Sequence, residues 1–446
     1  MTLSYYKDKL KQNAKQLAKR GKGILAVDES TGTVGKRLAG INVENTEENR
    51  QAYRGMLFTT PELGRYISGA ILFEETLYQD HVDGESMVFK LRQQNILPGI
   101  KVDKGLKPLP GGLPHETYCS GLDGLVERAS DYYERGARFA KWRAVLQITE
   151  DGPSDLAIQE NAWGLARYAR SVQESGLVPI VEPEILMDGN HHIDVTQRIQ
   201  RKVIQEVYKA CKINGVLLEG TLLKPSMTVC GADCPDQVDY KVVAQKTIQT
   251  LLSCVPPEVP GINFLSGGLS EEAASVYLNE MNIIGGVPWN VSFSYGRALQ
   301  HSCLKGWLGS NEKAGQSALI ARAKANSEAA MGLYVPGSQP SSDEQLFIVL
   351  ECRQINRYTQ LQKVAHQRMV ENLARIIPLL LLNLPLLLQS VLIDPLLHLN
   401  LTNLLSKNVE VLFHMRMKHS KVLHQLDSFH LDKLMLLLHL DHQIRN

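Results

Sequence analysis

The chain is poor in the features that mark several protein classes. Its seven cysteines, at positions 119, 211, 230, 234, 254, 303 and 352, never form a CxxC pair. Odd number and irregular spacing exclude a disulfide framework or a zinc ribbon and fit a reducing compartment. No sign of charge dominates: 48 Lys and Arg face 47 Asp and Glu, a net charge of +1. Such a balance offers no field for nucleic acid or an anionic membrane, so neither is expected as a main partner. The first 23 residues are basic and helix-prone but lack an apolar core, which excludes a secretory signal. They are also short of the Ser and Arg of a transit peptide, so a cytoplasmic protein is expected. After the first apolar run the sequence reads DESTGTVGK, which is not the GxGxxG turn that a doubly wound dinucleotide-binding sheet needs.

Eight short apolar runs are present, at 24–28, 67–73, 99–102, 139–146, 178–186, 215–223, 261–265 and 290–293. They recur every 30 to 45 residues or so, the length of a βα unit with its loops. The sixth, 215–223, shows no alternation, as expected of a parallel strand covered on both faces. Behind the fourth run, Ser154 can cap a helix whose periodicity lasts until Gly176. Eight such units predict an α/β fold, a (β/α)8 TIM barrel, with an open doubly wound sheet as the alternative.

In a barrel, residues at the C-terminal strand ends line one mouth, and a spacing of two puts side chains on one face. The first run ends in Asp28 and Glu29. The third ends in Lys101 and Asp103, the fourth carries Lys141 and Arg143, the fifth Glu182 and Glu184, and the sixth stops at Lys224 before Pro225. Charge at five buried strand ends is costly unless it has a use. A lysine among them can act as an amine nucleophile toward a ketone. The last two runs lead into Ser266-Gly267-Gly268 and Ser294-Tyr295-Gly296-Arg297. Glycines admit backbone N–H groups close to an anion and Arg297 supplies a fork of donors, so a phosphate site is expected there. A second is expected across the mouth at Ser30 to Thr33, with Arg37, Arg50 and Lys101 in reach. Two phosphate sites with a lysine between them suit a sugar bisphosphate.

The segments ILAVDESTGT, GIKVDKG, FAKWRAVL, VPIVEPEIL, LLEGTLLKP, FLSGG and SYGRALQ, in this order, resemble class I fructose-bisphosphate aldolase from about residue 5 to Phe347. GARFAKWRAVL and INVENTEENR look most like the plant cytosolic form. The resemblance implies reversible cleavage of fructose 1,6-bisphosphate to dihydroxyacetone phosphate and glyceraldehyde 3-phosphate, a homotetramer, and no metal or other cofactor. It implies that Lys224 forms the Schiff base and that Glu182 is the acid/base that dehydrates the carbinolamine. Lys141 would stabilise the carbinolamine and keep Lys224 neutral, Asp28 would take the C4 hydroxyl proton, and Glu184 would join this network. Ser266, Gly267, Gly268, Ser294 and Arg297 would hold the C1 phosphate, and Thr33, Arg37 and Arg50 the other end, with Lys101 and Arg143 also lining the substrate site. The alternative reading is a sugar-phosphate-binding scaffold without catalysis.

The chain departs from the family in two places. The loop after Pro225 reads Ser226-Met227-Thr228-Val229-Cys230-Gly231, where the family has Asn-Met-Val-Thr-Pro-Gly. After Phe347, where the family closes on a tyrosine that folds over the mouth, residues 348–446 follow. They contain no Gly or Trp, and Leu makes up roughly a quarter of them. Three accounts fit that extension: translated non-coding sequence, a Leu-rich helical interaction segment, or a membrane anchor at 375–393. The expected domains are therefore 1–347 and 348–446. Without the tyrosine, slow release of dihydroxyacetone phosphate after a burst of aldehyde is expected.

Overall fold

The computed structural model describes residues 3–342. The expectations for 348–446, and the family-like residues 343–347, lie outside the described residues. Ten strands occur in them: β1 (Gly23–Val27), β2 (Ile67–Leu72), β3 (Leu97–Lys101), β4 (Leu106–Pro108), β5 (Thr117–Cys119), β6 (Phe139–Leu146), β7 (Val178–Ile185), β8 (Leu222–Leu223), β9 (Gly261–Phe264) and β10 (Asn290–Tyr295). Eight of them close a parallel barrel in the order β1-β10-β9-β8-β7-β6-β3-β2, while β4 and β5 form an antiparallel hairpin outside it. Every residue of β1, β2, β7 and β9 is buried, which explains apolar runs without alternation. The barrel is the predicted α/β architecture.

The floor of the barrel is sealed by packing. The N-terminal helix Leu3–Leu17 buries Tyr6, Leu10, Ala14 and Leu17 at helical spacing. These pack with Ile24, Ile71, Phe139, Val178, Ile180 and Leu222 from the barrel interior. Phe139 needs glycine above it: a Cβ on Gly99 would lie 2.2 Å from its Cε2, and one on Gly69 3.0 Å from its Cε1. The helix Asp155–Glu174 begins as expected, with Ser154 Oγ accepting from Ala157 N at 3.1 Å, and the chain turns at Gly176 (φ +82°).

One strand is shorter than expected. The run 215–223 yields only Leu222–Leu223 as strand, preceded by a 3-10 turn at Leu218–Gly220. The Gln173 side chain takes the backbone groups a ladder would use: it donates to Leu217 O and Gly220 O and accepts from Leu217 N. Gly215 at φ +62° turns the chain just before this loop. Hydrophobic content there reflects packing against the floor, not a ladder. No described helix is long and apolar enough to cross a membrane.

Candidate active site

Four ionisable side chains meet inside the C-terminal mouth, all at most 9% exposed: Asp28, Lys141, Glu182 and Lys224. Each comes from a different strand. Lys141 is the third residue of β6, Glu182 the fifth of β7, and Asp28 and Lys224 follow directly on β1 and β8. Lys224 still donates its backbone N–H to Val181 O at 2.8 Å, so Pro225 begins only where the ladder has ended. Alternation along β6 and β7 brings Lys141 and Glu182 to the inner face.

Glu182 lies between two lysine side chains. Its Oε1 is 3.0 Å from Lys224 Nζ and its Oε2 is 3.3 Å from Lys141 Nζ. Oε2 accepts no hydrogen bond although it is buried. Lys141 Nζ reaches across to Asp28 Oδ2 at 2.7 Å. Burial works against the Asp28 carboxylate, but Lys141 and Lys224 outweigh it and hold its pKa at about 2. Burial likewise opposes the Lys141 cation, and Asp28, Glu182 and Asp103 overcome it, raising its pKa above the ordinary lysine value. The arrangement thus keeps Lys141 charged while both carboxylates stand next to a lysine.

A second layer supports this centre. Arg143 donates through Nε to Glu184, with Glu184 first among the charges that raise the arginine pKa against the effect of burial. Lys101 pairs with the Asp103 carboxylate and donates to Asp103 O at 3.0 Å.

At the ends of β9 and β10, Gly267 adopts φ +48°, a conformation suited to glycine, and Arg297 Nη2 donates to Gly267 O at 2.7 Å. Gly268 has Met187 Sδ within 3.2 Å of where a Cβ would lie. Ser266 and Ser294 are buried, and Ser294 Oγ has no hydrogen-bond partner. A buried hydroxyl beside a glycine turn and an exposed arginine fits an anion that accepts from all three.

The expected second phosphate site is arranged differently. Because β1 pairs with β10, Arg37 stands beside the first site: its Nη2 is 3.7 Å from the place of a Cβ on Gly296. It pairs with Glu29. Thr33 sits in the first turn of helix Thr31–Ala39, where Ser30 Oγ caps its N–H at 3.4 Å. Arg50 is bound bidentately by Glu75, at 2.9 and 2.6 Å, and Glu75 also pairs with Arg54. Lys101 and Arg143, on β3 and β6 beside Lys141, lie across the barrel from β9 and β10.

Sequence reasoning missed the residues beneath this layer. Fully buried Arg54 donates to Glu29 O at 2.7 Å and Thr76 Oγ1 at 2.9 Å, and pairs with Glu75. Gln300 donates to Ala26 O at 2.7 Å and to Glu29 at 3.1 Å, fixing the end of β1. The one signal was the four-residue spacing of Arg50 and Arg54, which puts both on one helix face.

Comparison with known proteins agrees with this geometry. The family model described as fructose-bisphosphate aldolase class-I matches residues 9–352. A rice chloroplastic fructose-bisphosphate aldolase is 56% identical over 346 residues, 77% of this chain and 88% of that protein. Cytosolic aldolase 4 of Arabidopsis thaliana is 55% identical over 330 residues, 73% of this chain and 84% of that protein. A structure of Plasmodium falciparum fructose-bisphosphate aldolase, in complex with TRAP and a small-molecule inhibitor, superposes with a TM-score of 0.74 at 52% identity, covering 75% of this chain and 97% of that one. These relatives overturn the expected cytoplasmic placement and do not bear out a particular cytosolic likeness: five further plant proteins named chloroplastic match at 55–57%. Identity to the chloroplastic rice protein and to the cytosolic Arabidopsis protein is nearly equal, so overall likeness does not separate compartments. With a family model over three quarters of its length and relatives at this identity, the chain belongs to the class I fructose-bisphosphate aldolases.

Proposed function

We propose that this chain cleaves fructose 1,6-bisphosphate reversibly through a Schiff base on Lys224, as the aldolase names of its relatives suggest. One observation carries the reading: Glu182 stands between the side chains of Lys224 and Lys141 in a buried mouth. In the proposed sequence Glu182 takes a proton from Lys224, and the free amine attacks the C2 ketone. The carbonyl π pair moves onto oxygen beside the charge of Lys141, and that oxygen takes the surplus proton of the attacking nitrogen to become a hydroxyl. Glu182 returns a proton to that hydroxyl, water leaves, and an iminium remains.

The iminium draws the C3–C4 bonding pair toward nitrogen as the bond breaks. Asp28, held ionised, accepts the C4 hydroxyl proton, and glyceraldehyde 3-phosphate departs. The enamine then gains a proton at C3, and water hydrolyses the imine to release dihydroxyacetone phosphate. The protein thus supplies an electron sink and a fixed field rather than a bulk base.

Ser266, Gly267, Gly268, Ser294 and Arg297 are assigned to the C1 phosphate, Lys101 and Arg143 to the opposite end. Glu184 positions Arg143. The reading extends to a homotetramer and to a division of the chain into 1–347 and 348–446, which sedimentation and limited proteolysis of the full chain test. A binding scaffold has no use for four buried charges, and no observation favours it.

Borohydride reduction in the presence of dihydroxyacetone phosphate should attach the triose to Lys224 and abolish cleavage. Labelling at another lysine, or cleavage that survives Lys224→Met, rules the assignment out.

A further inference from the structure

The loop after Lys224 carries two cysteines that the aldol chemistry does not use. Cys230 and Cys234 are buried free thiols, 2% and 7% exposed. The two side chains neighbour each other, and Cys230 Sγ donates to Asp236 O at 3.7 Å across the turn. They flank one tight turn, in which Cys234 N donates to Gly231 O at 3.1 Å and Gln237 Nε2 donates to Gly231 O and Cys234 O. The surrounding Ala232, Asp233, Pro235, Asp236 and Gln237 are exposed, so the pair lies just beneath the surface. A small local opening therefore exposes both thiols without disturbing the barrel.

We propose that Cys230 and Cys234 are a site of reversible disulfide formation, oxidised by disulfide-class reagents such as a glutathione-type disulfide. The more exposed Cys234 reacts first. Its thiolate attacks one sulfur of the reagent, forming a mixed disulfide and expelling one thiolate, which takes up the Cys234 proton. Cys230 then attacks the Cys234 sulfur, its own proton going to the second thiolate released. Two thiols and one reagent disulfide give one protein disulfide and two reagent thiols. Burial, with the neighbouring Cys234 adding to it, pushes the Cys230 thiol up, which disfavours Cys230 as the first attacking thiolate.

The turn between the cysteines is tied to the loop that follows β7. Gly231 N donates to His191 O at 2.8 Å, Ala232 N to Met187 O at 2.6 Å and Asp233 N to Gly189 O at 3.0 Å. Gly231 cannot move closer to that loop, because even a Cβ on it would lie 2.2 Å from Gly189 O. The closing movement falls on the exposed side, at 234–237, and the ring holds 231–233 on its partner loop. Met187 of that loop packs on Gly268. The disulfide thereby stiffens the path from the lysine loop to the glycine turn of β9.

The test treats the full chain with oxidised glutathione, alkylates the remaining thiols and reads the peptides by mass. The peptide holding Cys230 and Cys234 should lose two hydrogens and resist alkylation, and dithiothreitol should restore both thiols. In Cys230→Ser the reaction should stop with one glutathionyl group on Cys234. Amide hydrogen exchange at Gly231, Ala232 and Asp233 should be slower in the oxidised wild type than in the reduced one. Full alkylation of both cysteines, a bridge to any other cysteine, a lasting glutathione adduct in the wild type, or faster exchange at those amides would each overturn the proposal.

Discussion

Lys224 Nζ and Glu182 Oε1 lie 3.0 Å apart, with 5% and 4% of their side chains exposed. At that separation and burial the carboxylate is within proton-transfer reach of the amine, and water does not compete. Glu182→Gln keeps the shape but removes the proton carrier. It should lower kcat by about 100- to 10,000-fold, the usual contribution of a positioned acid/base, while KM changes little. Steady-state kinetics separate the two constants. A change in KM alone would mean that Glu182 binds substrate rather than moving protons.

The acid side of stability should depend on Asp28. Its folded pKa of about 2 lies below the ordinary 3.8. A depressed carboxylate stabilises the fold above its unfolded pKa and loses that contribution as pH falls through the folded one. The shift corresponds to about 2 kcal/mol, present at neutral pH and lost between about pH 4 and pH 2. Urea midpoints of wild type and Asp28→Asn should accordingly differ at pH 6 and converge toward pH 2. A constant difference over that range would show that the Lys141 pair does not set the Asp28 pKa.

How much of this was legible depended on what each residue interacts with. Asp28, Lys141, Glu182 and Lys224 could be read because charge interrupts apolar parallel strands, and the barrel rule then sends those ends to one mouth. The partners of Arg37 and Arg50 were not legible, because reach cannot be read from a helix segment: Glu75 pairs with Arg50, and Glu29 with Arg37. The sixth strand was overread because Gln173, some forty residues earlier in the chain, takes its hydrogen bonds. Apolar content reports packing, and at 216–221 it packs without a ladder, with only Val216, Gly220 and Thr221 buried.

The barrel floor should tolerate little added volume. A Cβ on Gly99 would overlap the Phe139 ring, with Cε2, Cζ and Cδ2 all within 2.5 Å. Phe139 is fully buried against the N-terminal helix and cannot swing into solvent. Gly99→Ala should therefore cost about 1 to 3 kcal/mol through overpacking. Adding Phe139→Leu makes room, so the double variant should lose less than the sum of the two single changes. Chemical denaturation of the four proteins gives that coupling, and additive losses would mean that the floor relaxes elsewhere.

The orientation of the sugar can be tested by removing one phosphate from it. If Ser294, the glycine turn and Arg297 hold the C1 phosphate, Arg297→Ala should harm fructose 1,6-bisphosphate and fructose 1-phosphate alike, since both carry that group. The loss should be about 1 to 3 kcal/mol in kcat/KM, the range for hydrogen bonds to a charged group, because Arg297 is exposed. Lys101 stands on the opposite side of the barrel, on β3, with 17% of its side chain exposed. Lys101→Met should therefore weaken the bisphosphate and leave fructose 1-phosphate nearly unchanged, so that preference between the two substrates shrinks. Asp103, which pairs with Lys101, must share the lysine with the incoming phosphate, and Asp103→Asn should not reproduce the loss. The opposite pattern, with Arg297→Ala sparing fructose 1-phosphate, would turn the sugar end for end in the mouth. It would also assign the unpartnered Ser294 hydroxyl to the C6 phosphate.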